Sequence, residues 1–193
     1  ASDCTRRDLI ELMRVPEDRI RVIPEGVEAH FFASEDPSKL SGVMTRYGLT
    51  HPYMVFLVGT PEPRKNLPRT VAAARIAAPE VPLVVVGPRE PIRSLLEDDT
   101  RGVRLIGSVP EEDLPFVLQG AVVALYPSLA EGFGLPAVEA LAAGTPLVTS
   151  DRTALPEVVG QAAVLVDPES VEAIADAIRS LLNDENKRRR LKE

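Results

Sequence analysis

The sequence predicts an α/β chain organised as a doubly wound parallel sheet of about six strands with helices on both faces. Three observations carry that expectation. From residue 53 onward, short β-branched runs alternate with helical patterns, and the runs are apolar throughout rather than alternating with polar residues. Strands covered on both faces read this way, whereas a strand with one wet face alternates. Finally, Gly59, Gly87, Gly107 and Ser128 fall at or just beyond the carboxyl ends of such runs, which is where loops of open α/β sheets lead into helix N-termini and where their ligands sit.

Taken in order, the chain opens on a helix from about Thr5 to Met13, followed by a short strand, Ile20 to Ile23, and the turn Pro24-Glu25-Gly26-Val27. Residues Ser34 to Ser41, with Asp36-Pro37-Ser38 inside them, are polar and turn-rich and read as a linker. Strands are then expected at Tyr53 to Val58, Leu83 to Val86, Val103 to Ile106, Val122 to Tyr126, Leu147 to Thr149 and Val164 to Val166. Helices are expected between them, at Leu67 to Ala77, Ile92 to Glu97, Glu111 to Leu118, Pro136 to Ala143 and Val171 to Leu182. Internal repeats and low-complexity tracts are absent.

Composition narrows the function. A chain of 193 residues with 45% apolar and 26% charged residues is ordinary for a soluble globular domain that buries a core. Its net charge of −7 argues against nucleic acid as a partner. The one basic run, Lys187-Arg188-Arg189-Arg190, reads as the solvated end of a helix, where positive charge complements the helix dipole, and supports at most a peripheral membrane contact. Cys4 is the only cysteine, which excludes an internal disulfide and fits a reducing compartment. No apolar run is long enough for a spanning helix, and no signal-peptide pattern opens the chain. The start at Ala1, without an initiator Met and directly on a helix-start pattern, suggests a piece of a longer polypeptide.

The most informative stretch is Glu131-Gly132-Phe133-Gly134-Leu135-Pro136-Ala137-Val138-Glu139, two carboxylates bracketing a glycine-containing loop that enters a small-residue helix. Gly132 and Gly134 let backbone N–H groups approach a ligand, Pro136 suits a first helical turn, and Glu139 follows within the next. One short segment can thereby hold sugar, phosphate and ribose. A second constellation is Val58-Gly59-Thr60-Pro61-Glu62-Pro63-Arg64-Lys65-Asn66, a strand end, a proline-stiffened loop and a basic pair before a helix. A forked guanidinium and a compact ammonium beside a helix N-terminus suit a pyrophosphate. Metal ligands are not expected: Glu97-Asp98-Asp99 precedes a strand instead of following one, and His30 and His51 lie apart in sequence. Each feature also has a plain structural reading, as a cap, a turn glycine or a solvated ion pair. Their joint placement on neighbouring loops at one sheet edge favours an anionic ligand.

These residues resemble the retaining, nucleotide-sugar-dependent glycosyltransferases of the glycosyltransferase-B fold, often called family 4 or group 1. The resemblance spans nearly the whole chain, through Arg6-Arg7-Asp8-Leu9, Val22-Ile23-Pro24, Gly26-Val27, Gly59 to Asn66, Gly107-Ser108-Val109-Pro110, Tyr126-Pro127-Ser128, Glu131 to Glu139, Ala143-Gly144-Thr145-Pro146, Ser150-Asp151 and Leu155-Pro156-Glu157-Val158. It implies one Rossmann-like half of that fold: residues 1–30 as the end of an N-terminal domain plus linker, and residues 31–193 as the nucleotide-sugar-binding C-terminal domain. It also implies roles. Glu139 would accept hydrogen bonds from the ribose hydroxyls, and Glu131 would face the transferred sugar. Arg64 and Lys65 would hold the departing diphosphate, with Gly59 and Thr60 letting the backbone close on it. Phe133, Gly134 and Leu135 would offer backbone N–H groups, and Val109 would flank the nucleobase.

Two departures stand out. Glu25-Gly26-Val27-Glu28 replaces the frequent Asn-Gly-Val-Asp, and Thr60 stands where many members carry arginine; the Gly-Thr-x-Glu-Pro-Arg-Lys-Asn form resembles a subgroup rich in enzymes using GDP-mannose. The resemblance thus implies a metal-independent hexosyltransferase with no cofactor beyond its donor. The donor would be GDP- or UDP-linked, the sugar plausibly mannosyl, and the acceptor a saccharide or lipid-linked sugar, with the protein cytoplasmic, at most at the inner face of the membrane. The N-terminal domain would be missing, so this chain alone would be nearly inactive, and the exposed 20–23 strand could pair in a homo-oligomer. The alternatives are a nonenzymatic nucleotide-sugar-binding subunit and a nucleotide-sugar epimerase of the same fold.

Overall fold

The computed structural model describes residues 1–32 and 36–192. Six strands form one sheet: β1 (Met54–Leu57), β2 (Leu83–Val86), β3 (Val103–Gly107), β4 (Val123–Tyr126), β5 (Leu147–Ser150) and β6 (Val164–Val166). Their spatial order is β3-β2-β1-β4-β5-β6, and every pairing is parallel. The chain therefore winds outward through β2 and β3, returns beside β1, and winds the other way through β5 and β6. The reversal lies between β1 and β4, where Met54 is in register with Leu83 on one side and Val123 on the other. A crevice opens at such a switch point because the loops leaving the two central strands diverge.

The helices are α1 (Asp3–Glu11), α2 (Pro37–Arg46), α3 (Leu67–Ala77), α4 (Arg89–Leu95), α5 (Leu114–Gln119), α6 (Leu135–Ala142), α7 (Leu155–Val159), α8 (Val171–Asn183) and α9 (Glu185–Arg190). They cover both sheet faces, which explains the uniformly apolar strands. Met54, Phe56, Val58, Leu83, Val85, Val123 and Leu125 face a core shared with α3 and α8. Their neighbours Val55, Leu57, Val84, Val86, Ala124 and Tyr126 face a second core with α5, α6 and α7. Each fully buried Val, Leu or Phe contributes roughly 1.5–3 kcal/mol, so slipping one strand by a residue exchanges two filled cores at once.

Two expectations for the first third are corrected. The linker read across Ser34 to Ser41 holds a helix from Pro37 onward, while residues 34 and 35 lie outside the described residues. Asp36 caps α2, accepting from the Ser38 and Lys39 N–H groups at 3.1 and 3.2 Å, and Pro37 occupies the first turn. The same Asp-Pro-Ser signal that marks a turn also starts a helix. The strand read at Ile20 to Ile23 is extended chain without a sheet partner among the described residues, and Ile23 stands 71% exposed. A strand exists only by pairing, and among the described residues the sheet ends at β3 and β6 with residues 20–23 beside neither.

The basic run closes α9 as expected. Lys187 Nζ donates to Ser180 Oγ at 2.6 Å and Arg188 to the Leu181 carbonyl at 2.5 Å, satisfying acceptors at the end of α8. No helix among the described residues is long and apolar enough to cross a membrane.

Candidate functional site

The loops leaving β1 and β4 converge at the switch point. After β1, the 63–65 segment is a single tight turn ending at Asn66, whose left-handed backbone (φ 62°) leads into α3. The Asn66 amide donates to the Pro127 carbonyl at 2.9 Å and the Pro168 carbonyl at 2.6 Å. Three loops from β1, β4 and β6 are thereby tied by one buried side chain. After β4, residues 127–134 lead into α6, and Gly134 takes φ 99° at its start. A β-carbon there would sit 2.6 Å from Leu155 Cδ2, so both conformation and space select glycine.

Lys65, Arg64 and Glu131 meet in the first of two arrangements. One Glu131 carboxylate oxygen accepts from Lys65 Nζ at 2.7 Å and from the Tyr126 hydroxyl at 2.7 Å, and the other accepts from Arg64 Nη1 at 2.6 Å. Lys65 also donates to the Tyr126 hydroxyl at 2.5 Å and lies 5.0 Å from its ring centroid. Arg64 binds Glu62 as well. The Glu131 backbone N–H donates to Thr153 Oγ1 at 3.0 Å. Burial alone would raise the Glu131 pKa, but hydrogen bonds from Lys65, Tyr126 and Arg64 outweigh it and hold the carboxyl below its ordinary 4.5. Tyr126 is pushed upward by burial and then by the Glu131 charge, so it stays a neutral donor.

Glu139 lives in the opposite environment. It lines a cleft of about 400 Å³ with Gly59, Gly87, Val109, Leu114 and Leu135. The Glu139 carboxylate accepts no hydrogen bond among the described residues. Burial raises its pKa, the nearby Glu111 charge raises it further, and His30 opposes both. Gly87 shapes this cleft: at φ 149° a β-carbon there would lie 2.1 Å from the Val58 carbonyl oxygen.

The structure therefore gathers the anticipated residues into two groups, built from the segments after β1 and β4 and, for Val109, after β3. Gly59, Val109, Leu135 and Glu139 share the cleft, and Arg64, Lys65 and Glu131 form the ion cluster. Gly134 starts the helix joining them. Thr60 is exposed and Phe133 half-buried, and neither lines the cleft or joins the cluster. Tyr126, Asn66 and Thr153 were not anticipated as site residues; the visible signal was Tyr126 as a polar-tipped residue closing an apolar strand. The histidine reading is also refined. The fold sets His30 between Glu28 at 3.4 Å and Glu111 at 3.6 Å, each ring nitrogen facing a different carboxylate, and one donor atom of each residue lies within 4.8 Å of the others, a grouping that their separation in sequence hid. All three residues are exposed. A cavity of about 470 Å³ at the opposite edge, lined by Leu40, Met44, His51 and Arg188 among others, includes none of the motif residues, so volume alone does not locate the site.

An open α/β sheet with its cleft at the switch point defines a Rossmann-like ligand-binding domain. The chain belongs to the glycosyl transferases group 1 family, whose model matches residues 47–193. It is 36% identical to the O-antigen chain mannosyltransferase B of Escherichia coli over 195 residues, covering 96% of this chain and 51% of that protein. The chain thus spans about half the length of the curated relatives it matches. Among solved structures, Alr3699/HepE of Anabaena in complex with UDP and glucose superposes with a TM-score of 0.85 at 20% identity, over 99% of this chain and 55% of that one. The C-terminal domain of a group 1 family glycosyl transferase (LpcC) from Francisella tularensis superposes with a TM-score of 0.72 at 24% identity, over 87% and 93%. These likenesses establish one Rossmann-like half of the glycosyltransferase-B fold.

Proposed function

We propose that this chain is the donor-binding domain of a retaining hexosyltransferase that takes a mannosyl group from a nucleoside diphosphate sugar without a metal ion. The observation that carries the reading is Glu139: a half-buried carboxylate with no internal hydrogen-bond donor, held in a cleft beside glycine-ended strands and one helix away from a paired lysine and arginine. An acceptor-only group in such a place calls for hydroxyl donors from outside, and a ribose 2′,3′-diol supplies two. The cleft is of the size that encloses a small ligand. In this reading Arg64 and Lys65, on the loop that brings Gly59 to the cleft, hold the diphosphate, and their positive charge stabilises it as the bond to the anomeric carbon breaks. The mannosyl assignment rests on the likeness to the O-antigen chain mannosyltransferase B of Escherichia coli.

Glu131 serves in this reading as the group that holds Arg64 and Lys65 in place. With three donors on its two oxygens and a side chain 7% exposed, it would have to surrender Lys65 or Arg64 to attack an anomeric carbon. Front-face displacement, with the departing phosphate accepting the acceptor's proton, is the route this arrangement favours. Acceptor recognition belongs to parts of the enzyme outside this domain.

Calorimetric titration with GDP, UDP and ADP and their hexose conjugates, without magnesium, tests the assignment. One diphosphate is expected to bind, and Glu139→Ala to abolish that binding. Absence of binding at millimolar concentration, or a strict need for magnesium, overturns it.

A further inference from the structure

Helix α1 buries none of its own residues, so apolar packing does not explain its position. Its first turn is held instead by a compact set of polar contacts. Ser2, the cap residue, is 1% exposed; its hydroxyl accepts from the Thr5 N–H at 3.1 Å and donates to the Gly132 carbonyl at 2.6 Å. Thr5 Oγ1 donates to the same carbonyl at 3.1 Å. From the other side, both oxygens of Glu157 in α7 accept the next free N–H groups of the helix, Asp3 at 2.7 Å and Cys4 at 3.1 Å. Three of the four N–H groups that a helix start leaves without internal partners are satisfied at this joint, and two hydroxyls converge on one peptide of the loop between Glu131 and Gly134.

That loop is otherwise anchored at its two ends, Glu131 also through its carboxylate. Glu131 N–H is fixed by Thr153, and Gly134 packs on Leu155. The Gly132 carbonyl, at the loop's exposed middle, has α1 as its partner. Gly132 is free of side-chain packing, and a β-carbon on it would meet only Thr5 Oγ1, at 3.5 Å. Without an external brace, a glycine-rich loop samples many backbone conformations.

We propose that Ser2, Thr5 and Glu157 are positioning residues. They latch the first turn of α1 onto the 131–134 loop and α7, and thereby hold the Gly132–Leu135 backbone in the geometry that receives the sugar end of the donor, while the Glu131 carboxylate stays fixed by Lys65, Tyr126 and Arg64. The inference rests on the functional reading above. It also makes α1 a mechanical input: a displacement of α1 reaches the sugar-binding loop through Gly132, while the Glu139 end of the cleft, anchored on α6 and the central strands, is left in place.

The test separates the two ends of the donor. Ser2→Ala, Glu157→Gln and the conservative Ser2→Thr are titrated with the nucleoside diphosphate and with its hexose conjugate, alongside the parent chain. Loss of one or two hydrogen bonds at the latch is expected to lower affinity for the conjugate about tenfold while leaving the diphosphate within about twofold, with Ser2→Thr restoring the parent ratio. In the ligand-free chain, amide hydrogen exchange at residues 131–135 should quicken in the first two variants and stay unchanged at Val55 and Val84 in the central strands. The thermal unfolding midpoint should fall by only about 2–4 °C, the cost of one lost helix cap in a domain of this size. Equal losses for both ligands, or unchanged exchange at 131–135, overturn the latch. A parent chain that binds neither ligand overturns the functional reading and the latch's role in it together, even where exchange responds as expected.

Discussion

Glu131 and Glu139 lie eight residues apart on one loop and helix, yet the fold treats them in opposite ways. Glu131 is saturated by an ammonium, a guanidinium and a phenol, and its pKa is driven down despite burial. Glu139 has no donor, shares its surroundings with Glu111, and is driven up. The first is finished by the protein and acts through the groups it holds. The second is incomplete, and a half-buried acceptor without a donor is tolerated where something from solution completes it. Residue type alone does not distinguish these roles; the donors that each loop brings within reach do.

The sharpest way to break this contrast is to remove the cluster's ammonium. Lys65→Met leaves a buried carboxylate short of its more buried cation, and a loss of about 3 kcal/mol in stability is expected from urea unfolding; a loss under about 1 kcal/mol would show that Arg64 alone satisfies Glu131. Gly87→Ala comes next, because its β-carbon collides with the β1 backbone that walls the cleft. About 2 kcal/mol is expected to be lost, together with nucleotide binding. Glu139→Ala should lower nucleotide affinity more than tenfold, about 1.4 kcal/mol, while unfolding midpoints move by less than about 0.5 kcal/mol. Comparable damage to stability would mean that Glu139 is structural.

The smallest effect is the pH dependence, and its signs are opposite for the two groups. Glu131 is depressed, so its contribution is complete above the ordinary 4.5 and disappears as pH falls through the lower folded value. Glu139 is raised, so its protonation favours the folded state: that contribution is present below 4.5 and is lost as pH rises through the higher folded value. Glu131→Gln should therefore flatten the acid limb of the stability profile. Glu139→Gln should gain on the parent above pH 4.5, by less than about 1 kcal/mol. Urea midpoints collected between about pH 3 and about pH 7 decide both, and a parallel response of the two variants would erase the contrast.

Legibility followed the physics of each element. Helix α3 was expected and found at Leu67–Ala77, and β2 and β6 at their observed bounds, because an apolar run closed by glycine or proline has one plausible conformation when both faces are covered. Ile20 to Ile23 has the right side chains for a strand but no partner edge, and propensity does not create one. Pro37–Arg46 was hidden because a helix cap and a turn share the same opening residues. At the site, Arg64, Lys65 and Glu131 were each visible, with Arg64 and Lys65 expected as the partner charges of Glu131 around a ligand. Their direct contact without a ligand between them, and the part Tyr126 plays in it, were not, since these depend on the Asn66 clasp and on Tyr126 standing at the end of β4.

By itself the sequence determined the α/β class, the alternation of strands and helices, the carboxyl-edge location of the site and the residues able to serve there. These are set by local pattern, in which hydrophobic periodicity and the backbone freedom of glycine and proline act over a few residues. Tertiary structure alone decided which charges neutralise one another, which carboxylate is left open, and that the first turn of α1 grips the Gly132 carbonyl. Those outcomes depend on distances of about 3 Å between segments far apart in sequence, and only the closed sheet brings them together.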